Sequence, residues 1–192
     1  MKTISNTLFT LFALVGSLLL VPTASANDSY SSAIATFKQV SETHKFFDSA
    51  YGYAIFPTIG KGGLGIGAAY GKGRVYRGGA YTGDSSMTQV SIGFQIGGQA
   101  YSEIIFFKDA QAYRDFTSGS FEFGAQASAV AINAGANAQA GTTGNSAGAG
   151  QSGGSQAAKA AYINGMAVFT AAKGGLMVEA ALAGQSFTFE AQ

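Results

Sequence analysis

Eleven of the 33 residues from Tyr51 to Gly83 are glycine, and near the middle of this stretch small and large residues alternate. Leu64, Ile66, Ala68 and Tyr70 interleave with Gly63, Gly65, Gly67 and Ala69, giving one apolar side and one side that is nearly bare backbone. Period-two alternation predicts a strand, and a face without side chains suits the close approach of something tightly packed. The same stretch carries Lys61, Lys72, Arg74 and Arg77 and no acidic residue. Cations beside bare backbone are poorly placed for acid–base chemistry and well placed for an extended anionic partner. The alternative is that these side chains stand on solvated turns with no specific role.

The first residues set the compartment. Residues 1–26 have the pattern of an export signal: Lys2 for the positive start, an apolar run from Leu8 to Val21, and the small-residue cleavage pattern Ala24-Ser25-Ala26. That run falls short of the roughly 20 residues a membrane-crossing helix needs, and no other segment reaches its length, so no transmembrane helix is expected. Cleavage would leave 27–192 as one domain, exported to the periplasm or the exterior. The chain has no cysteine, so its core alone must hold it without disulfides. Beyond Lys2, ten Lys and Arg oppose ten Asp and Glu, which argues against a nucleic-acid partner, since that class carries a clear basic excess.

Along the chain, Ile34, Phe37, Val40, His44, Phe47 and Tyr51 recur at three- and four-residue steps and predict one helix over 30–50, capped by Asp28 or Ser31 and ended by Gly52. Its polar side mixes Lys38 and Lys45 with Glu42 and Asp48, so its stripe is expected to pack on a sheet. Strands are expected at Tyr53–Phe56, Gly63–Tyr70, Arg74–Tyr81, Met87–Gly98 and Tyr101–Phe107, with Gly71-Lys72-Gly73 and Thr82-Gly83-Asp84 as turns. Asp109 should cap a short helix bearing Ala110, Tyr113 and Phe116 and closed by Gly119, and strand character returns from Phe121 to Ala134. Residues 135–157 hold no aromatic, charged or large aliphatic residue and read as a flexible Gly/Ala-rich loop. Strand patterns resume at Tyr162–Thr170, Leu176–Leu182 and Phe187–Phe189. The fold class is therefore α+β, mainly β: an antiparallel twisted or barrel-like sheet with a helix at the front and a short one midway. Gly52-Tyr53-Ala54-Ile55-Phe56 followed by Lys61-Gly62-Gly63-Leu64 recurs as Gly165-Met166-Ala167-Val168-Phe169 followed by Lys173-Gly174-Gly175-Leu176, which suggests two similar hairpins with Lys-Gly-Gly tips.

Catalytic patterns are scarce. His44 is the sole histidine and falls on the apolar side of the expected helix, as a packed core residue would. One histidine and no cysteine leave little for a zinc site, and no Gly-x-Ser-x-Gly elbow occurs. Gly71-Lys72-Gly73 lacks the Ser or Thr and the following helix of a phosphate loop, and Gly63-Leu64-Gly65-Ile66-Gly67 is not a dinucleotide fingerprint. Glu103 and Glu179 lie in apolar strands, where a raised pKa or a buried partner cation is expected. No enzyme, metal or cofactor is expected.

The run Tyr51-Gly52-Tyr53-Ala54-Ile55-Phe56-Pro57-Thr58-Ile59-Gly60-Lys61-Gly62-Gly63 resembles the opening motif of the SYLF domain, the lipid-binding or actin-regulator domain. Tyr70-Gly71-Lys72-Gly73, Gly93-Phe94-Gln95-Ile96-Gly97-Gly98-Gln99, Phe121-Glu122-Phe123-Gly124-Ala125 and Lys173-Gly174-Gly175-Leu176 continue the resemblance in order. It extends over nearly all of 27–192 and is closest in kind to the secreted bacterial branch that has the domain alone. The resemblance implies binding of membrane lipids, phosphoinositides in eukaryotic relatives, through a basic surface helped by an N-terminal amphipathic helix. It adds Lys173 to Lys61 and Lys72 as family glycine-lysine positions. The expected role is non-catalytic binding of anionic phospholipid at the cell envelope, peripheral to a membrane, with Lys61, Lys72, Arg74, Arg77 and Lys173 at the lipid. The alternatives are a small outer-membrane β-barrel and a protein-interaction module.

Overall fold

Long strands, not short ones, organise the chain. The computed structural model describes residues 24–64, 66–92, 98–124, 129–132, 161–173 and 182–192. The helices are α1 (Ala24–Lys38), α2 (Ser41–Ser49) and α3 (Ala110–Phe116). The strands are β1 (Gly52–Leu64), β2 (Ile66–Arg77), β3 (Ala80–Ile92), β4 (Gln99–Phe107), β5 (Phe121–Glu122), β6 (Ala129–Ile132), β7 (Met166–Lys173) and β8 (Gln185–Ala191). They form one eight-stranded sheet in the order β5-β8-β3-β2-β1-β4-β7-β6, antiparallel except for the β6–β7 pair. The expected loop 135–157, all but Leu182 of the expected strand at Leu176–Leu182, Glu179 and most of the expected export signal lie outside the described residues.

Two of the expected turns are strand interior. Gly71, Gly73 and Gly83 lie inside β2 and β3, where a Cβ on Gly73 would fall 2.5 Å from the Phe56 ring and one on Gly71 2.6 Å from Ile59 Cγ1. The glycines admit side chains of neighbouring strands, which is the packing use of strand glycine and not its turn use. The actual β2–β3 turn is Gly78-Gly79, with φ of 55° and 82°, the left-handed pair that a two-residue hairpin demands. Nor is Gly63–Tyr70 one strand: Leu64 pairs with Ile66, so the chain folds back between β1 and β2.

The sheet curls enough for its ends to touch through their side chains. Gln185 on β8 donates to Tyr101 Oη and Glu103 Oε2 on β4, each at 3.2 Å, although three strands separate β8 from β4 in the ladder. The concave side is filled by Phe56, Ile105, Phe107, Val168 and Phe187, and α3 adds Tyr113 and Phe116. Phe116 stands 5.0 Å from Phe107 and 5.1 Å from Phe187, centroid to centroid. On the convex side α1 and α2 cover one end of the strands, burying Phe37 and Phe46 against Ile55, Ile104, Phe106 and Phe169. The edge strands β5 and β6 are not paired to each other, so among the described residues the sheet stays open. Strands of 13, 12 and 13 residues, β1 to β3, are long enough to cross a membrane. Strand length thus does not argue against an outer-membrane barrel; among the described residues it is the open ladder that departs from one. No described helix is long and apolar enough to cross a membrane.

The expected single helix over 30–50 is broken at Gln39 and Val40, where Val40 is extended (φ −101°, ψ 121°). Side chains from α2 satisfy the end of α1: Thr43 Oγ1 donates to Phe37 O and Val40 O, and His44 Nε2 donates to Lys38 O at 2.9 Å. His44 is thus an exposed clasp between two helices, not a core residue. The sequence repeat is not a structural one over its described part. Tyr53 and Ala167 both face Phe106, one residue out of step with the repeat. Equivalent residues Ile55 and Val168 therefore point to opposite sides of the sheet.

Candidate functional site

Strand parity decides which cations can act together. On β2, Ile66, Ala68, Tyr70 and Lys72 are exposed while Gly67, Ala69, Gly71 and Gly73 are buried. The apolar side of the alternation is the outer one, and the glycine side is the one packed against the core. Those glycine faces are occupied by the core, so the anionic partner expected beside bare backbone has no access to them.

Lys72 stands directly across from Thr58 on β1, and both are exposed on the convex side. Lys173, at the end of β7, donates from Nζ to Thr58 Oγ1 at 2.9 Å. Lys173, from a strand three places from β2 in the sheet, thus reaches the residue that faces Lys72 across the β1–β2 ladder, and neither lysine has an ion pair among the described residues. Two lysines on one side of the sheet without a carboxylate favour an anion, and Thr58, facing one and bonded to the other, adds a hydroxyl donor. A two-residue irregularity in β1 between Ile55 and Thr58 sets this alignment; there Ser102 Oγ donates to Pro57 O at 2.8 Å.

The other expected site residues lie elsewhere. Arg74 shares the convex side but is held under α1, its guanidinium 4.4 Å from the Tyr30 ring and 5.3 Å from that of Tyr81, with Nε 3.9 Å from Asp84 Oδ1. Arg77 projects from the other side at the helical end, 5.5 Å above the Tyr113 ring of α3. Lys61 pairs with Ala69 and Gln99, in register with the concave side. The five cations thus form no single patch: Lys72 and Lys173 share the convex side around Thr58, Arg74 is engaged with α1, and Lys61 and Arg77 are on the opposite side at opposite ends of the strands.

Along β2 from Lys72 the convex side carries apolar side chains that no described element covers. Val90 on β3 pairs with Ala68, and Ile66, Tyr70 and Val90 are 67%, 50% and 71% exposed. Thr58 and Val90 did not stand out in the sequence. The signal for Val90 was its even spacing from Thr88 and Ser86, two plainly polar outward positions.

A different polar cluster lies inside the concave core. Glu103 is fully buried, and burial pushes its carboxyl up to about 8, only partly opposed by the hydrogen bond from Gln185. The partner cation expected for such a carboxylate is absent among the described residues. Among the described residues Glu103 Oε1, Gln185 Oε1 and Thr170 Oγ1 have no hydrogen-bond partner, and Thr170 sits directly opposite Glu103. Burial also raises the Tyr101 hydroxyl, with Glu103 adding to the effect. Among the described residues no three His, Asp or Glu side chains gather as a metal site.

A family model described as Ysc84, Las17-binding protein actin regulator, matches residues 88–192, more than half of the chain. The match takes in Lys173 and the motifs from Gly93 onward; Tyr51–Gly63 and Tyr70–Gly73 precede it. Comparison with curated proteins gives no match.

Proposed function

The chain belongs to the Ysc84 (SYLF) family, a family of binding and regulator domains, and we propose from that premise that it binds anionic membrane lipid without catalysis, using the convex lysine pair. The observation that carries this reading is that Lys173 bonds Thr58, the residue paired with Lys72, on one side of the sheet, with neither lysine in an ion pair among the described residues. A lipid phosphate there would accept from the Thr58 hydroxyl and from the ammonium groups on either side of it. The export pattern of residues 1–26 supports a place at the cell envelope, in the periplasm or outside, peripheral to a membrane. The amphipathic-helix half of the family expectation has less support, because Phe37 and Phe46 are committed to the core.

Vesicle sedimentation tests this with an internal control. Lys72→Glu/Lys173→Glu should lose binding to phosphatidylglycerol vesicles, while Lys61→Glu/Arg77→Glu, on the opposite side, should keep it. Equal sedimentation with neutral and anionic vesicles, or equal loss in both double variants, rejects the reading.

A further inference from the structure

We propose that the bare outer surface of β2 and β3 enters the interfacial layer of an anionic bilayer, so that the sheet, and not a helix, is the membrane-contacting element. This rests on the lipid-binding reading above and specifies its geometry. Ile66, Ala68 and Tyr70 follow one another on the outer side of β2, and Val90 lies beside Ala68 on β3, so the apolar side chains form one continuous strip. The strip runs into Lys72, and Thr58 and Lys173 lie just beyond it. Apolar groups flanked by lysines match the layered chemistry of an anionic membrane surface, where hydrocarbon begins beneath a plane of phosphates. Tyr70 carries an amphipathic ring at the junction of the two zones, the place such rings favour at lipid–water boundaries.

The helical alternative is closed by packing. Ala33 and Phe37 of α1 and Phe46 of α2 are buried against the sheet, so presenting them to lipid would require dismantling one of the two cores. The strip needs no rearrangement, because its large side chains already face solvent.

The protein has no tryptophan, so a single introduced one reports alone. Val90→Trp should shift its emission to the blue and be quenched by bilayer-embedded quencher when phosphatidylglycerol vesicles are added. Ile163→Trp, exposed just before β7 at the helical end, should show neither change. Ile66→Ser/Val90→Ser should weaken vesicle binding about tenfold, as expected from loss of two partly buried aliphatic groups. Sedimentation of the Val90→Trp protein without any change in its indole emission would overturn sheet docking while leaving lipid binding intact. Failure to sediment at all would instead remove the lipid reading on which this rests. Emission from Val90→Trp that is already blue-shifted before vesicles are added, with light scattering showing a dimer, would assign the strip to self-association and overturn the proposal.

Discussion

Gly73 and Gly60 show how differently two strand glycines can be used. A Cβ on Gly73 would collide with the Phe56 ring at 2.5 Å, whereas one on Gly60 would meet nothing within 4 Å. Gly73→Ala should therefore lower stability by about 1–3 kcal/mol through overpacking, and Gly60→Ala should change it by less than about 0.5 kcal/mol. Paired thermal melts check both. Glu103 carries a second consequence at this scale. Its folded-state pKa of about 8 lies above the ordinary 4.5, so the native protein holds a proton that the unfolded chain has lost between those values. Stability should then fall as pH rises from 4.5 toward 8, with a slope of up to about 1.4 kcal/mol per pH unit. Urea denaturation across that range should show the decline in the parent protein and a flatter profile in Glu103→Gln, which has no carboxyl to ionise. The sequence disclosed that Glu103 stands in an apolar strand. It could not disclose that the partner is the amide of Gln185, because that contact depends on the curl of the whole sheet.

At the scale of elements, local chemistry was legible where the partners are close in sequence. Asp109 accepts from the backbone of Gln111 and Ala112, and Gly119, at φ 103°, follows α3, as expected from their spacing. The break between α1 and α2 was not legible, because the apolar period runs straight through it and only Thr43 and His44 reveal it, by bonding back across the gap. Strand ends were misplaced for a related reason: Gly71 and Gly83 look like turn residues until the side chains lying over them are known. The same packing logic gives Arg74 a structural use. Its guanidinium lies between Tyr30 of α1 and Tyr81 of β3, and each cation–π contact at a partly exposed site is worth about 0.5–1 kcal/mol. Arg74→Ala should accelerate amide hydrogen exchange over Tyr30–Lys38 and leave the exchange of β1 and β4 unchanged. Uniform acceleration across the sheet would show that Arg74 supports the whole fold and does not merely fasten α1.

For the whole molecule, the consequence lies in how charge divides between the two sides of the sheet. Four cations acting together, at roughly 1 kcal/mol each near an anionic surface, would supply about 4 kcal/mol; the convex pair alone supplies about 2, a factor of about 30 in affinity. The cations were legible in the sequence but their division was not, since it follows from a register shift near Pro57 and from the inward turn of the glycine side. A membrane contact resting on two lysines and an apolar strip has a distinct salt response. At about 1 M salt, where the screening length falls to about 3 Å, the lysine share is largely removed while the apolar share persists. Vesicle affinity of the parent protein should therefore drop by about 30-fold and then level off, since that is the share two lysines supply. Lys72→Glu/Lys173→Glu should bind weakly at low salt and approach the parent protein as salt rises. Ile66→Ser/Val90→Ser should keep a salt dependence as steep as the parent's from a lower starting affinity. A decline that continues without levelling would instead mean that Lys61 or Arg77 reaches the lipid, which requires contact by both sides of the sheet.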